Sequence, residues 1–521
     1  MNGEEKEIPF GWTAANIEVV SSELISGSGF PKEYQGDSSG EFPFAKVGDI
    51  SKAFRAKQKC IDSANHFISE EVREEIKAKI FPKGTIVFPK IGEALKGNYR
   101  LVTSREMLFD NNVMGIVPNT KIISADFLFY FLNTQDLGKF SVATAVPSVR
   151  RGDVAAIQML LPPINEQHRI VAKIEELFSE LDKGIENLKT ARAQLKVYRQ
   201  ALLKHAFEGK LTAQWRAENQ DKLETADTLL KRIQQERTQR HQQQLADWEA
   251  TGKQGSKPKA LKPLPPLTQE ELTELPEGWI ALCVENLCDI EDGDRGEHYP
   301  TKGDFSDSGY CLFLNAKNVT KRGFAFQENS FISEQKHLAL RKGTLKRGDI
   351  VFTSRGTLGN IAHYNDAIKY EHVRINSGMF LIRNYDVSLT PDFLYYHLNA
   401  PIITRQIEKL QSGTAQPQLP IREFKSFRFV IPGKEEQQQI VQELEAKLSE
   451  ADQLDQTITT ALQQAEALRQ SILKKAFSGQ LVPQDPHDEP ASKLLARIKA
   501  ERTDIAAKPR KNVSTKFIKE T

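Results

Sequence analysis

The stretch Tyr198-Arg-Gln-Ala-Leu-Leu-Lys-His-Ala-Phe-Glu-Gly-Lys-Leu211 returns later in the chain as Leu468-Arg-Gln-Ser-Ile-Leu-Lys-Lys-Ala-Phe-Ser-Gly-Gln-Leu481. The two copies lie 270 residues apart. The same offset relates Glu166-Gln167 to Glu436-Gln437. The chain is therefore predicted to consist of two copies of one unit, which favours an arrangement with two-fold pseudosymmetry.

The repeat extends beyond these segments. Gly84-Thr-Ile-Val-Phe88 matches Gly348-Asp-Ile-Val-Phe352, and both are strand-like apolar runs. Phe127-Leu-Phe-Tyr-Phe-Leu-Asn133 matches Phe393-Leu-Tyr-Tyr-His-Leu-Asn399. The offsets drift between 264 and 270, as insertions in loops would cause. Each copy is thus predicted to keep a common frame under a rewritten surface.

A heptad pattern marks the second half of each copy. Apolar residues recur every seven positions, which predicts a coiled-coil helix of about 40 residues, or roughly 60 Å. The helix-pairing residues are Ile174, Leu181, Leu188, Leu195 and Leu202 in the first copy and Leu444, Ile458 and Ile472 in the second. Antiparallel pairing with Leu188 beside Ile458 would set large residues against small ones, Leu181 against Ala465 and Leu195 against Ala451.

Two arginines interrupt this apolar seam. Arg199 and Arg469 occupy equivalent core-facing positions in the two copies. An apolar seam does not explain them, so they are predicted to pair with acidic residues on the partner helix or on another protein.

The fold class that follows is α+β, with two α/β domains separated by two long antiparallel coiled-coil helices and a pseudo-two-fold internal repeat. The predicted segments are a first domain (1–165), a first long helix with a following helix (166–250), a linker (251–275), a second domain (276–433), a second long helix with a following helix (434–505) and a basic tail (506–521).

Composition excludes several classes of protein. The chain has 521 residues, a net charge of +2 and four cysteines without metal-ligand or disulfide-framework spacing. Neither an export signal nor a long apolar run is present, so a cytoplasmic location is expected. No phosphate-binding Gly-x4-Gly-Lys motif and no adenine-methyltransferase tetrapeptide occur, so we expect no catalytic residues, no metal and no cofactor in this chain.

With its duplicated Glu-Gln-x-x-Ile-Val helix start and Leu-Lys-x-Ala-Phe-x-Gly-x-Leu helix end, the chain resembles the specificity subunit of a type I restriction–modification enzyme. The segment Gly348-Asp-Ile-Val-Phe-Thr-Ser-Arg355 is also similar to that family. The first copy departs there, because Pro89 and Lys90 stand where the second has Thr353 and Ser354.

The resemblance implies a sequence-specific DNA-binding subunit that reads an asymmetric bipartite target, one half with each domain. The implied partners are double-stranded DNA, two methyltransferase subunits and two restriction subunits. Those partners, and not this chain, use S-adenosylmethionine, ATP and Mg²⁺. A rigid helix pair would fix the distance between half-sites, on the order of one DNA turn of about 34 Å.

Candidate DNA-contacting residues are the cations, hydroxyls and amides near the strand ends and the later loops of each domain, because such groups bind phosphates and base edges. They are Lys46, Lys90, Lys96, Arg100, Thr144, Arg150 and Arg151 in the first domain and Lys317, Ser354, Arg355, Thr357, Thr414, Gln416 and Gln418 in the second.

Two other functions stay open at this point. One is a coiled-coil scaffold that joins protein partners without reading DNA. The other is a hydrolase or transferase with an unfamiliar site in a variable domain. Sequence-dependent DNA binding separates the leading hypothesis from the scaffold, and turnover by the isolated chain would indicate the enzyme.

Overall fold

The computed structural model describes residues 8–140, 147–253, 257–264, 275–384, 388–413 and 417–507, without the side chains of 502–507. The strands are β1 Thr13–Asn16, β2 Ser21–Ser26, β3 Phe42–Ala45, β4 Cys60–Ile61, β5 His66–Ile68, β6 Ile86–Pro89, β7 Leu101–Thr103, β8 Leu108–Phe109, β9 Val113–Pro118, β10 Gln158–Leu161, β11 Ile280–Cys283, β12 Cys288–Asp292, β13 Cys311–Leu314, β14 Val319–Thr320, β15 Gly323–Phe324, β16 Phe331–Ile332, β17 Ile350–Thr353, β18 Ile361–His363, β19 Val373–Ile375, β20 Met379–Asn384 and β21 Arg428–Ile431.

The α-helices are α1 Ile17–Val20, α2 Val47–Arg55, α3 Glu70–Glu75, α4 Glu93–Lys96, α5 Ala125–Asn133, α6 Arg151–Ala155, α7 Ile164–Phe207, α8 Ala213–Glu218, α9 Ala226–Ala250, α10 Glu334–Ala339, α11 Pro391–Leu398, α12 Pro401–Leu410, α13 Ile421–Lys425, α14 Lys434–Ala476 and α15 Ala491–Ala507. Short 3-10 turns cover Lys32–Tyr34, Leu137–Phe140, Gln220–Lys222, Val284–Asn286 and Lys302–Asp304.

The chain forms two compact units, and their borders differ from the predicted linear segments. Unit 1 contains residues 1–188 and 459–521, and unit 2 contains residues 189–458. The borders fall inside α7 and α14, so each unit takes part of both long helices. Long-range packing, which the sequence pattern does not report, places the end of the chain with its beginning.

The sheet order of unit 1 repeats in unit 2. In unit 1 the sheets run β2-β9-β6-β7-β4, β5-β3-β8 and β1-β10. In unit 2 they run β12-β20-β17-β18, β16-β13-β19 and β11-β21, with an added β14-β15 hairpin. The three-stranded sheet has a parallel pair in both units, β3 with β8 and β13 with β19. The predicted α+β class and internal repeat are confirmed.

The frame elements predicted from the repeat are also confirmed. β6 and β17 are fully buried strands in the middle of their sheets. Helices α5 and α11 begin after Ser124 and Thr390, whose side chains accept hydrogen bonds from Phe127 N and Phe393 N. Such caps satisfy backbone donors that the first turn leaves free. Both helices bury their aromatic faces in the core of their own unit.

The helices that follow the long helices belong to the cores as well. In unit 1, Leu494 and Ile498 of α15 pack with the buried residues of α5 and α7. In unit 2, Leu229 and Ile233 of α9 pack with α11 and the β11–β21 pair. The linker segment 257–264 lies against α9, because Arg237 donates to the Lys262 carbonyl at 3.2 Å.

The heptad seam is visible as burial with the expected period. Ile174 and Ile472 are buried in unit 1, and Leu202 and Leu444 in unit 2. The remaining pairing residues, Leu181, Leu188, Leu195 and Ile458, are half-buried, as a two-helix seam requires. The small residues expected opposite the leucines are buried, with Ala465 at 8% in unit 1 and Ala451 at 1% in unit 2.

Polar contacts show that the two helices run antiparallel. In unit 2, Arg192 pairs with Asp455 at 2.9 Å, and Arg199 pairs with Asp452 at 2.6 Å. The partner number falls as the first number rises, which occurs only between antiparallel helices. In unit 1, Arg469 pairs with Asp182.

Arg199 and Arg469 therefore pair with acids on the partner helix, one of the two alternatives predicted for them. Asp182 and Asp452 are themselves 270 residues apart, like the two arginines. The same ion pair thus forms once in each unit from equivalent residues.

Candidate functional site

Two loops of unit 2 meet beyond the end of strand β17. We call residues 354–360 its first loop and residues 411–420 its second loop. Arg355 and Gln418 form an antiparallel backbone bridge. Leu419 N donates to the Ser354 carbonyl at 3.0 Å, and Ser412 and Gln418 exchange backbone hydrogen bonds of 2.9 Å. Of the second loop, residues 411–413 and 417–420 are described; these two stretches pair with each other, and the second is attached to the first loop.

Unit 1 joins its loops in the same way. Its first loop is residues 90–100 and its second loop is residues 141–150, of which 147–150 are described. Ile91 and Ser148 form the bridge. Gly92 N donates to the Pro147 carbonyl at 2.8 Å, and Val149 N donates to the Lys90 carbonyl at 2.9 Å. Ile91 and Ser148 match Arg355 and Gln418 at offsets of 264 and 270.

The first loop of unit 2 needs its glycines. Gly356 and Gly359 have φ angles of 76° and 82°. Residues with a side chain rarely adopt this left-handed region, so the tight turn selects glycine. Thr353 closes the turn from within, because its hydroxyl accepts from Asn360 N at 2.8 Å and donates to the Thr357 carbonyl.

Three predicted residues of unit 2 stand exposed at this junction: Arg355, Thr357 and Gln418. The Arg355 guanidinium and the Gln418 amide have no side-chain partner among the described residues. A guanidinium fork and an amide are the groups that bind guanine and adenine edges in the major groove. The bridge between Arg355 and Gln418 holds the two backbones side by side.

In unit 1 the corresponding junction is basic. Arg150 and Arg151 are exposed where the second loop enters α6, and neither side chain has a partner among the described residues. Lys90, half-buried at the end of β6, completes this group. Guanidinium and ammonium groups placed this way suit phosphate oxygens.

Three other predicted lysines are already engaged. Lys46 donates to Gln35 at 2.5 Å, and its ammonium lies 5.2 Å from the Phe30 ring centre. Lys96 pairs with Glu93 at 2.7 Å. Lys317 pairs with Glu328 at 2.5 Å and lines an open cavity of about 650 Å³ together with Asp307 and Asn315. Lys96 and Lys317 stay exposed, so their contacts with DNA remain a prediction.

Two predicted contacts are corrected by burial. Arg100 is 1% exposed, and its guanidinium donates to Asn98 and to the Gln135 carbonyl. Burial lowers the pKa of Arg100 to about 10. Ser354 is 6% exposed and donates to the Gly378 carbonyl at 3.0 Å. Both side chains hold the loop structure together and face no surface. The predicted contacts at Thr144, Thr414 and Gln416 lie outside the described residues.

The duplicated Glu-Gln start of each long helix forms a joint that the sequence did not explain. Trp12 Nε1 donates to Glu166 at 3.0 Å in unit 1, and Trp279 Nε1 donates to Glu436 at 2.9 Å in unit 2. All four side chains are nearly or fully buried. The signal for this contact is a second repeat, Gly11-Trp12 with Gly278-Trp279, which accompanies the Glu-Gln repeat; the tryptophan and glutamate kept in both copies contact each other.

The glutamine beside each glutamate ties the helix start to the domain. Gln167 accepts from Ser124 N at 2.9 Å and donates to the carbonyls of Ile122 and Pro162 at 3.0 Å. Gln437 accepts from Thr390 N at 3.0 Å and donates to the carbonyls of Ser388 and Pro432 at 2.7 and 3.0 Å. Each buried amide thus uses both donors and its acceptor, which fixes the orientation of the long helix in its unit.

The two joints differ in charge. Glu436 also accepts from Thr212 at 2.7 Å and pairs with the largely buried Arg216. Glu166 instead has the neutral Gln484 at 3.3 Å, and burial raises the pKa of the Glu166 carboxyl. The nearby Arg169 is used by Asp488, at 2.7 Å.

The family model for the type I restriction modification DNA specificity domain matches residues 18–190 and 276–464, one match in each copy. The chain belongs to this family. The first match covers nearly all of the predicted first domain, the second covers the predicted second domain, and each includes most of the long helix that follows.

Relatives that match most of this chain are named as specificity subunits of type I restriction enzymes. The EcoKI specificity subunit of Escherichia coli strain K12 is 23% identical over 524 residues, covering 96% of this chain and 98% of that protein. The EcoBI specificity subunit of Escherichia coli is 26% identical over 446 residues, covering 82% and 83%. The MjaIX specificity subunit of Methanocaldococcus jannaschii is 21% identical over 449 residues, covering 82% and 84%.

Solved structures share the fold. A chain from work on complex assembly and conformational transition of the type I R-M system superposes with a TM-score of 0.62 at 18% identity, covering 91% of this chain and all of that one. The HsdS subunit from Thermoanaerobacter tengcongensis gives 0.54 at 18% identity, covering 92% and 100%.

Within the described ranges no group of three or more His, Cys, Asp or Glu side chains is arranged to hold a metal ion. None of the helices in this part of the chain has the length and apolar character needed to cross a membrane.

Proposed function

We propose that this chain is the non-catalytic DNA-reading subunit of a type I restriction–modification complex and that it recognises an asymmetric target with two half-sites, one for each unit. The observation that supports this most directly is the pair of loop junctions. The backbone bridge is the same in both units, Ile91 with Ser148 and Arg355 with Gln418, while the side chains differ. A common frame with unlike side chains suits two half-sites of unlike sequence.

In this proposal the partners are double-stranded DNA, two methyltransferase subunits and two restriction subunits. The support for two copies of each is the duplication, because each unit carries its own Trp–Glu joint and its own Arg–Asp pair between helices. S-adenosylmethionine, ATP and Mg²⁺ serve the partner subunits. Native mass spectrometry of the assembled complex tests this: a single methyltransferase subunit per chain would contradict it.

The target itself comes from the DNA of cells that carry this chain and its methyltransferase. Methylated adenines are mapped, and the shared sequence around them defines two half-sites. Binding of the complex is then measured on duplexes with the whole target, with each half-site changed in turn, and with both changed. Sequence-dependent binding supports the proposal, and equal binding to all four duplexes favours a scaffold that does not read DNA.

Arg355→Ala sharpens the test. Loss of a bidentate contact to a base costs about 1–3 kcal/mol, or roughly 5- to 150-fold in affinity. The variant should lose its preference for one half-site and keep its preference for the other. Arg422→Ala is the matched control, because Arg422 is 90% exposed in the same unit and, within the described part of the chain, pairs with its neighbour Glu423 alone. Equal effects of the two substitutions would refute a reading role for Arg355.

A further inference from the structure

A helical segment lies beneath the first loop in each unit and leads directly into the second loop. In unit 2 this segment is α12, residues 401–410. A Cβ placed on Gly359 would come within 3.3 Å of Ile407 Cδ1, so the helix packs against the turn of the first loop. Ser412, which pairs with Gln418 in the second loop, lies two residues after the helix ends.

Unit 1 has a shorter segment in the same place, the 3-10 turn at residues 137–140. Asn98 of the first loop donates to the Gln135 carbonyl at 3.0 Å and accepts from Leu137 N at 3.2 Å. A Cβ on Gly138 would lie 3.9 Å from Lys96 Cα. The turn therefore also supports the first loop.

Both supporting segments present free cations. Helix α12 buries Ile403 and turns Arg405 and Lys409 outward on its exposed face. In unit 1 the exposed cation is Lys139. None of these three side chains has a hydrogen bond or ion pair with another described residue. Lys409 stands in the last helical turn, where a cation also complements the helix dipole, but Arg405 does not.

The internal repeat relates these cations to one another. Lys139 precedes Arg405 by 266 residues and Lys409 by 270. These are the offsets between the copies just before this segment, at Phe127 and Phe393, and just after it, at Pro147 and Pro417. The second copy is four residues longer here, and a basic residue matches Lys139 at either offset, although the neighbouring residues differ between the copies. Arg405 and Lys409 are also one helical turn apart, where like charges repel unless an anion lies between them.

We propose that Lys139 in unit 1 and Arg405 with Lys409 in unit 2 bind the DNA phosphate backbone beside the bases that the loops read. This inference rests on the proposed function. The cations would act as positioning contacts that hold each loop junction over its half-site and carry no sequence information themselves. Unit 2, with two such cations, would make the stronger backbone contact.

The test uses the full chain in complex with its methyltransferase subunits. Binding to the target duplex is measured between about 50 and 200 mM salt, because each neutralised phosphate contributes about 0.9 to the slope of log K against log salt. This slope is negative, and Lys139→Gln should reduce its magnitude by about 0.9. The double variant Arg405→Gln with Lys409→Gln should reduce it by about 1.8.

Matched controls come from exposed lysines without partners elsewhere in the described chain. Lys493→Gln on α15 serves unit 1, and Lys231→Gln on α9 serves unit 2. Neither should change the slope. The ratio of affinities for the target and for a duplex with one changed half-site should stay within about twofold of wild type in every variant, since phosphates are common to all sequences.

Unchanged slopes in the test variants would overturn the proposal, and so would a fall in the specificity ratio, which would assign these cations to base reading. The proposed function is judged separately, by the preference of the wild-type complex for its target. The slope is also measured on a duplex that lacks the target, so phosphate contact is tested independently of that preference.

Discussion

Two substitutions at equivalent joints of the repeat, Glu166→Gln and Glu436→Gln, should have opposite consequences. Glu436 is 3% exposed and accepts from Trp279, Thr212 and Arg216. The amide of the variant can still accept from Trp279, but Arg216 loses its counter-charge. Removing one partner of a buried pair costs about 3–5 kcal/mol, and because Arg216 stays 14% exposed we expect about 2–3 kcal/mol in unit 2.

Glu166 has no directly bonded cation among the described residues. Trp12 and Gln484 are neutral donors that serve an amide oxygen nearly as well as a carboxylate. Burial raises the pKa of Glu166, so ionisation of this carboxyl opposes folding. Glu166→Gln should therefore change the free energy of unfolding of unit 1 by no more than about 1 kcal/mol at pH 7, with stabilisation the favoured sign.

Hydrogen–deuterium exchange under increasing urea separates the two effects, because peptides from the β1–β10 and β11–β21 pairs report on units 1 and 2 individually. A loss at Glu166→Gln as large as that at Glu436→Gln would refute the charge argument. The pH dependence adds an independent check. A raised folded-state pKa means that the native state binds more protons, so wild-type stability falls as pH rises through that pKa. The advantage of Glu166→Gln should accordingly grow from about pH 4.5 upward.

Three further experiments test the cores and the helix pair. Burial lowers the pKa of His397 to about 3. Unit 2 should therefore lose stability as pH falls from about 6.5 toward 3, by about 2 kcal/mol at pH 5. His397→Phe should remove this loss, as measured by hydrogen–deuterium exchange at a series of pH values. Leu181→Ala should destabilise unit 1 by about 1–2 kcal/mol in denaturant titrations, because the side chain is half-buried, whereas the exposed Lys183→Ala should be neutral; equal effects would contradict the predicted seam. A double-mutant cycle between Arg199 and Asp452 should give a coupling free energy below about 1 kcal/mol, because solvent reaches both side chains. A larger value would mean that this ion pair stabilises the helix pair and does more than set its register.

The sequence alone was sufficient for the frame because the repeat acts as an internal comparison. A strand such as Ile86–Pro89 and a capped helix such as Ala125–Asn133 follow from local patterns, and each has a twin that supports it. The acidic partners of Arg199 and Arg469 were also foreseeable in kind, since a charged residue in a seam needs a counter-charge.

Side-chain placement in the loops could not be read in the same way. Arg100 follows a polar turn and looks like a surface cation, yet Asn98 and the Gln135 carbonyl draw it inside. Ser354 lies beside the exposed Arg355 but turns toward Gly378. Neighbouring residues in an extended segment face opposite sides, and only the long-range contacts decide which side is solvent. The unit borders within α7 and α14 also depend on long-range contacts, which local sequence patterns do not show.

Residues that are the same in both copies hold the fold together, and residues that differ between the copies lie where the proposed function places DNA recognition. The Trp–Glu joints, the buried glutamines and the Arg–Asp pairs recur with equivalent partners, so each kept residue is explained by a contact that positions a helix. At the loop junctions the backbone bridge recurs, but Ile91 and Ser148 give way to Arg355 and Gln418. A frame alone would not require the exposed Arg355 and Gln418 side chains, which have no side-chain partner among the described residues, because exposed polar groups gain little from packing. Under the proposed function, recognition of two unlike half-sites would require this placement, whereas a scaffold would have no use for it.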